Sequence, residues 1–180
     1  KTGFLLSTFC LLEERKKIEY VIDALPKVLE KHPNILYAII GETHPKSRLK
    51  SGEEYRNKLK EKVKKLGLNE NVKFYNKYLD LKEVLQCLQA TDIHITPYTD
   101  SKQISSGTLA YALGCGRVCI STPFYYAAEV LDKKRGILVN YENSEDITNA
   151  IMKVLNDPKL KESMEKKAYD LLLQNKVLRD

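Results

Sequence analysis

Short apolar runs alternate with segments of helical periodicity along the whole chain, and this alternation restricts the fold more than any other feature. The apolar runs lie at 3–9, 34–40, 72–75, 93–96, 118–121 and 136–139. The helical segments lie at 16–31, 53–66, 81–90, 108–113, 125–131, 144–155 and 158–174, with a polar loop predicted at 44–51. Strands that alternate with helices in this way form a parallel sheet. We therefore predict a single α/β domain, a Rossmann-like parallel sheet of about six strands with helices on both faces.

The expected place for a ligand in such a sheet lies beyond the carboxyl ends of the strands. At that edge the loops that follow the strands converge. These loops follow Phe9, Gly41, Tyr75, Thr96 and Thr122.

The segment QISSGTLAYALGCGRVCIST, at 103–122, contains a loop, a short helix and a buried strand. Ser105, Ser106 and Gly107 stand just before the helix formers, where capping oxygens and a small residue favour a helix start. The unpaired amides of a helix start attract anions, and phosphate is the usual one. An ordinary capped helix explains the same residues, so that alternative stays open.

Composition and length are those of a globular protein with one core, since 43% of the 180 residues are hydrophobic and 30% are charged. No apolar run approaches the roughly 20 residues of a membrane span. Residues 1–3 resemble neither a signal peptide nor a natural start, so we expect a fragment of a longer chain. The four cysteines form no CxxC pair, and we interpret them as reduced residues of a cytoplasmic protein. With three scattered histidines, no metal site is predicted.

The net charge of +6 raises the question of a polyanionic partner. Much of the excess lies at 58–66, where lysines alternate with apolar residues at helical spacing, as on a solvated helix face. Aromatic residues of the kind that stack on bases are missing there, so no nucleic-acid partner is predicted. A basic face leaves peripheral contact with an acidic membrane surface, at its cytoplasmic side, as an alternative.

Three common motifs are missing from the sequence. No glycine follows Phe9, where a GxGxxG dinucleotide turn would lie, and no GxxxxGK[ST] loop occurs. A GxSxG elbow is missing as well. Nicotinamide dehydrogenases, P-loop NTPases and serine hydrolases are therefore disfavoured.

Five segments in a fixed order carry a family resemblance that covers essentially the whole chain. They are IEYVIDAL at 18–25, YAIIG at 37–41, VKFY at 72–75, ATDIHITP at 90–97 and SGTLAYALGCG at 106–116. The series resembles the C-terminal, donor-binding domain of GT-B retaining glycosyltransferases, the group 1 family of glycogen and sucrose synthases. The resemblance implies one half of a GT-B fold. It also implies transfer of a sugar from a nucleoside diphosphate sugar to an acceptor hydroxyl with retention, as in polysaccharide biosynthesis.

The same resemblance bears on partners. It implies no cofactor and no metal, because the nucleotide sugar is itself the donor substrate. A carbohydrate or glycolipid acceptor would be bound by an N-terminal domain that this chain lacks. The isolated chain is then expected to bind donor without turning it over.

Several residues match the family's donor site. Lys16 matches a loop lysine that contacts the donor diphosphate, and an ammonium suits a leaving phosphate. The backbone amides of Ser106, Gly107 and Thr108 match those that hold the distal phosphate and the sugar. Tyr78 matches a position whose backbone touches the nucleobase.

Three positions depart from the family pattern. Family members carry two glutamates, the first on the sugar hydroxyls and the second on the ribose, and here these positions are Gln103 and Tyr111. Gln103, which we still predict to be a donor-binding and catalytic residue with Lys16, cannot place a negative charge beneath an oxocarbenium ion. Leu11 stands where the family commonly has an arginine, whose charge Arg15 or Lys17 could replace.

These departures keep two other functions in view. One is a GT-B-like binding or scaffold domain that has lost transfer. The other is a sugar-nucleotide epimerase-like enzyme, which would need further acid and base groups around the cleft. Titration with nucleotide sugars tests these alternatives, because binding of no nucleotide sugar would favour the scaffold.

Further candidates have structural explanations beside functional ones. His44 lies at the ligand edge and suits a loop cap, whereas His94 lies within a strand pattern and suits the core. The polar run at 140–143 is typical of a turn and a helix cap. Three tyrosines border the same edge and could pack on a sugar ring: Tyr98, Tyr125 and Tyr126.

Overall fold

One parallel sheet organises the molecule. The computed structural model describes residues 3–132 and 134–175, and in that part of the chain six strands pair in the order β3-β2-β1-β4-β5-β6. The strands are β1 (Phe4–Phe9), β2 (Ile35–Ile40), β3 (Val72–Tyr75), β4 (Ile93–Thr96), β5 (Val118–Ser121) and β6 (Gly136–Leu138). All five pairings are parallel. The predicted Rossmann-like sheet is therefore confirmed.

Helices connect the strands, and a short 3-10 turn (Glu14–Lys16) precedes the first of them. The helices are α1 (Glu19–Leu29), α2 (Pro45–Ser51), α3 (Glu54–Lys65), α4 (Leu81–Ala90), α5 (Gly107–Gly114), α6 (Tyr125–Val130), α7 (Ser144–Asn156) and α8 (Pro158–Asn175). With the exception of α2, each of these elements was predicted to within three residues at either end.

Two hydrophobic cores lie on opposite faces of the sheet. In β2, the alternate residues Ile35, Tyr37 and Ile39 belong to the core that α1, α3 and α7 cover. Ala38 and Ile40 belong to the core that α4, α5 and α6 cover. Because successive side chains of a strand point to opposite faces, this alternation places helices on both sides of the sheet, as predicted.

The strand order reverses at β1, which pairs with β2 on one side and with β4 on the other. The loops that leave β1 and β4 therefore diverge to opposite sides and open a crevice between them. At this switch point the hydroxyl of Tyr98, beyond β4, donates to the carbonyl of Phe9 at 3.2 Å. This hydrogen bond connects the end of β1 to the loop after β4 at the base of the crevice.

The prediction of a loop at 44–51 was wrong, because Pro45–Ser51 forms α2. None of its residues is buried, so it has no apolar face whose period could have indicated a helix. Its start is conventional: Pro45 takes the first helical position, and the His44 ring accepts a hydrogen bond from the amide of Lys46 at 3.2 Å. His44 is thus a helix cap.

Two expectations from the composition concern the state of the cysteines and the apolar character of the helices. All four cysteines, Cys10, Cys87, Cys115 and Cys119, carry free thiols. None of the helices within 3–132 and 134–175 combines the length and the apolar character needed to cross a bilayer.

Candidate functional site

A cavity of about 130 Å³ lies at the carboxyl edge of the sheet, beside the switch point. Most of its wall is apolar. It is lined by Phe9, Cys10, Leu11, Ile40, Gly41, Glu42, Lys77, Tyr78, Leu79, Val84 and Thr108. The loops after β1, β2 and β3 and the start of α5 therefore meet around one space, as the parallel topology requires.

The start of α5 presents free backbone donors. Ser106 is extended and caps the helix, since its hydroxyl accepts from the amide of Leu109 at 3.4 Å. The amide of Ala110 bonds to the Ser106 carbonyl at 2.9 Å. The amides of Gly107 and Thr108 precede these bonds and have no intrahelical partner, as in the first turn of any helix. Gly107 is exposed, so an anion can approach both amides.

Lys16 lies at the end of the 3-10 turn that follows β1, and it is buried, with 8% of its surface exposed. Its Nζ lies 3.7 Å from the centroid of the Tyr98 ring. Burial lowers the pKa of Lys16, and the neighbouring Arg15 lowers it further, while Cys10 and Glu13 oppose the shift. An ammonium held in this way has lost much of its hydration, so it would interact strongly with a phosphate that entered the crevice.

Tyr98 lies between Lys16 and the start of α5. Its ring lies beneath the Lys16 ammonium, and the side chain of Thr108 lies close enough to its hydroxyl to lower the pKa of Tyr98 against the effect of burial. The ring also stacks on Phe124, with centroids 5.7 Å apart. Lys16 and the start of α5 therefore contact one rigid side chain, although they are distant in sequence. Burial raises the pKa of Tyr98, so this hydroxyl stays protonated.

Gln103 connects the loop before α5 to the loop after β1. Its side-chain oxygen accepts from Arg15 at 3.4 Å, and its side-chain nitrogen donates to the Ser105 carbonyl at 2.8 Å. Lys17, in contrast, forms an ion pair with Glu142 at 3.0 Å. Of the two cations that could replace the arginine missing at position 11, the structure thus brings Arg15, not Lys17, to the loop of Gln103.

The two tyrosines assigned to the nucleoside occupy different positions. Tyr78 is 72% exposed and lines the cavity opposite Thr108. Tyr111 is half-buried one turn into α5, where its ring lies next to Gly107, and it does not line the cavity. Leu11 does line it and is 38% exposed.

At Gly41 the loop after β2 comes close to the loop after β1, and both loops belong to the cavity wall. Its φ of 133° lies in a region that side chains disfavour, and an added Cβ would come within 2.0 Å of the Cys10 carbonyl oxygen. Its amide donates to the carbonyl of Tyr75 at 3.0 Å. Only glycine fits here, and the wall has little freedom to move.

Sequence reasoning missed a polar cluster behind this wall, in which Thr43 and Arg56 are buried and Glu53 is partly exposed. Arg56 is 2% exposed and bonds to Glu53 at 2.8 Å, and the Thr43 hydroxyl donates to the same carboxylate. The Thr43 hydroxyl, and then the Arg56 guanidinium, lower the pKa of Glu53. A signal was present, because Arg56 shares a helical face with Leu59 and Val63, and these are both buried.

The remaining candidates have structural roles. Asn143 caps α7 by accepting from the amide of Asp146 at 3.0 Å, which confirms the predicted cap. His94 is fully buried in β4, as expected of a core residue. Tyr125 is 64% exposed, and its amide donates to the Ser101 carbonyl at 3.0 Å. Among the described residues, no group of three or more acidic, histidine or cysteine side chains could hold a metal ion.

Comparison with known families decides the relationship. The model of the family "Glycosyl transferases group 1" matches residues 9–171. The chain belongs to the glycosyl transferases group 1 family. It is therefore a domain of a glycosyltransferase family, and its cavity and the start of α5 lie at the carboxyl edge of the sheet.

Two solved structures share the fold. The C-terminal domain of the group 1 family protein LpcC from Francisella tularensis superimposes with a TM-score of 0.84 and 23% identity, over 98% of this chain and 88% of that one. Anabaena HepE, crystallised in complex with UDP, superimposes with a TM-score of 0.83 and 20% identity, over 96% of this chain and 44% of that one. Both likenesses show the GT-B C-terminal fold.

A relative in sequence is described as an uncharacterized glycosyltransferase of Methanocaldococcus jannaschii. It is 29% identical over 119 residues, which are 64% of this chain and 30% of that protein. The chain thus spans less than half the length of this relative and of HepE.

Proposed function

We propose that this chain is the donor-binding half of a retaining glycosyltransferase and binds a nucleoside diphosphate sugar. The observation that carries the proposal is the meeting of the Lys16 ammonium and the free start of α5 on one side chain, Tyr98. Beside them lies an apolar cavity. A pyrophosphate needs the first feature, and a flat, apolar base needs the second. HepE, which has the same fold, was crystallised with UDP and with UDP-glucose.

In this proposal Lys16 and the amides of Gly107 and Thr108 stabilise the departing diphosphate. Charge develops on the phosphate oxygens as the bond to the sugar breaks, and donors fixed in advance lower that barrier without reorganising. Ser106 acts through its cap, which keeps the amides of the first turn oriented. The leaving group is neutralised by the protein alone, so the proposal requires neither a metal ion nor a cofactor.

Gln103 and Tyr111 have smaller roles in this proposal. Gln103 can offer its second N–H and the remaining lone pair of its amide oxygen to the sugar hydroxyls, beside the bonds to Arg15 and Ser105. Tyr111 offers one hydroxyl near the start of α5, and Tyr78 offers its backbone to the base. Because Gln103 adds no negative charge, stabilisation of the sugar cation would fall to the acceptor half.

The acceptor side is the second part of the proposal. We infer that a carbohydrate or glycolipid acceptor, and any general base, are supplied by a second domain. The greater lengths of HepE and of the M. jannaschii protein support this inference. The domain described here would then bind donor and transfer nothing alone. A glycolipid acceptor would bring it to the cytoplasmic face of a membrane.

A scaffold domain is the second candidate, favoured by the departures from the family pattern at Gln103, Tyr111 and Leu11. Calorimetric titration with UDP-, GDP- and ADP-sugars separates the two. We expect one of these nucleotide sugars to bind to the wild-type chain. Lys16→Ala should raise the Kd of that nucleotide sugar by about 10- to 100-fold, because it removes one charge-assisted hydrogen bond.

Lys17→Gln is the matched control, because Lys17 is the next residue and its ammonium is engaged with Glu142. It should change Kd by less than about twofold, as expected for an exposed ion pair. Binding of no nucleotide sugar would favour the scaffold. Binding that Lys16→Ala leaves unchanged would remove the phosphate contact from the proposal.

A further inference from the structure

Arg56 is a buried cation on an otherwise apolar helix face. It lies in α3 with Leu59 and Val63, and only 2% of its surface is exposed. Burying a guanidinium is costly, and a hydrophobic side chain of similar size often stabilises such a place at least as well. The free energy of folding therefore does not explain why an arginine stands here.

Arg56 bonds to the turn at 41–43, whose residues Gly41 and Glu42 line the cavity. Its Nη2 donates to the carbonyl of Gly41 at 2.9 Å and lies 3.4 Å from the Thr43 hydroxyl. Its Nε donates to Glu53 at 2.8 Å. Three acceptors on one planar fork match a guanidinium, whereas the ammonium of a lysine cannot reach them all. Within the described residues, Nη1 has no partner.

Gly41 is the point at which these bonds affect the cleft. It lines the cavity, its amide bonds to Tyr75 after β3, and its Cα packs against the Cys10 carbonyl after β1. The next residue, Glu42, bonds through its carbonyl to the amide of Leu12 at 2.8 Å. Holding the Gly41 carbonyl therefore fixes three loops of the wall together.

We propose that Arg56 is a positioning residue for nucleotide binding, whose guanidinium, with Glu53, holds the turn at 41–43 as a preformed wall of the nucleoside cavity. The inference rests on the proposed function, because it assumes that a nucleoside enters this cavity. A wall ordered in advance spares the ligand the entropy cost of ordering it. The phosphate side, at Lys16 and the start of α5, does not depend on this wall.

The test compares a complete nucleotide with its phosphate part alone. UDP, GDP, ADP and inorganic pyrophosphate are titrated calorimetrically into the wild-type chain, Arg56→Met and Arg56→Lys, each well below its unfolding midpoint. We expect the Kd of the nucleotide that binds to rise about tenfold in Arg56→Met, the cost of ordering one or two residues. Arg56→Lys should lie between Arg56→Met and the wild type. The Kd of pyrophosphate should change by less than about twofold in both variants.

Lys62→Met is the matched control. Lys62 belongs to the same helix and bonds to both carboxylate oxygens of Asp23, at 2.6 and 2.7 Å, away from the cavity. It should change neither Kd. In Arg56→Met the carboxylate of Glu53 keeps Arg48 as a partner at 3.4 Å, so this variant is not left with an isolated charge.

Two results would overturn the inference while leaving the proposed function standing. One is a wild-type chain that binds a nucleotide and an Arg56→Met chain that binds it equally well. The other is equal loss of nucleotide and pyrophosphate in both Arg56 variants, since general destabilisation would affect both ligands. A folded wild-type chain that binds pyrophosphate but no nucleotide would overturn the inference and the proposed function together.

Discussion

On one side of the cleft an anion would meet the main-chain amides of α5 and the ammonium of Lys16. On the other side a nucleoside would meet apolar side chains and the turn at Gly41, which Arg56 holds from behind. Apart from Lys16, the first side uses main-chain groups that every sequence possesses, because amides at a helix start do not depend on side-chain identity. The second side depends on a buried side chain with specific partners. The amides of the phosphate side can therefore tolerate the changes at Gln103 and Tyr111, whereas the wall of the nucleoside side should be sensitive to substitution of Arg56.

The largest expected effect concerns the stability of the sheet that supports both sides of the cleft. His94, in β4, is fully buried, and burial lowers its pKa to about 4, against a weaker opposing hydrogen bond from Ser7. In the unfolded chain the pKa is 6.5. Between these values the unfolded state binds the proton and the folded state does not. The free energy of unfolding should therefore fall by about 3 kcal/mol as the pH drops from 6.5 to 4.

Denaturant unfolding at a series of pH values measures this slope. His94→Gln cannot take up the proton, so the histidine's part of the slope should be missing from its profile. Its nucleotide affinity at neutral pH should stay within about twofold of the wild type, because His94 does not line the cavity. Identical pH profiles would contradict the assignment of the buried neutral histidine.

The next effect isolates one amide of the phosphate side. Gly107→Pro removes the N–H of Gly107 at the first helical position, which proline tolerates, and Ser106 before it is already extended. We expect a loss of about 2 kcal/mol, or about thirtyfold in Kd, for pyrophosphate and for nucleotide alike. Gly107→Ala is the control, because its Cβ would lie 3.8 Å from Tyr111 in ordinary contact. Equal affinity of the two variants would mean that this amide does not bind the phosphate.

The smallest effect concerns the residue that joins the loops. Tyr98→Phe keeps the ring beneath Lys16 and removes the hydroxyl that donates to the Phe9 carbonyl, near Thr108. Loss of this buried hydrogen bond should lower the free energy of unfolding by about 1 kcal/mol, and Kd should rise by less than about threefold. Tyr125→Phe, at an exposed position, should change neither quantity. A larger loss of affinity in Tyr98→Phe would mean that the hydroxyl itself contacts the ligand.

Most of the fold could be predicted from the sequence, because its signals are local. Apolar runs of four to seven residues predicted all six strands, and apolar periodicity predicted every helix that buries a face. α2 was missed because it buries nothing, and only His44 and Pro45 signalled its start. The cap at Ser106 was readable for the same reason, since the capping oxygen and the amide are three residues apart.

The site was only partly predictable. The sequence indicated the loops in which Lys16 and Gly107 lie, but not that the ammonium is buried on Tyr98 or that Gln103 bonds to Arg15. Arg56 was not predicted as a site residue, because its bonds to Gly41 and Thr43 join α3 to a loop that the sequence does not place beside it.

By itself, the sequence determined the succession of strands and helices along the chain, the free start of α5 and the family to which the chain is similar. Only the tertiary structure decided which polar groups are buried, and with which partners. The physical reason is the range of the interactions. Periodicity and caps act within one or two helical turns, whereas the bonds of Arg56 and Lys16 reach residues that the sheet topology alone brings near.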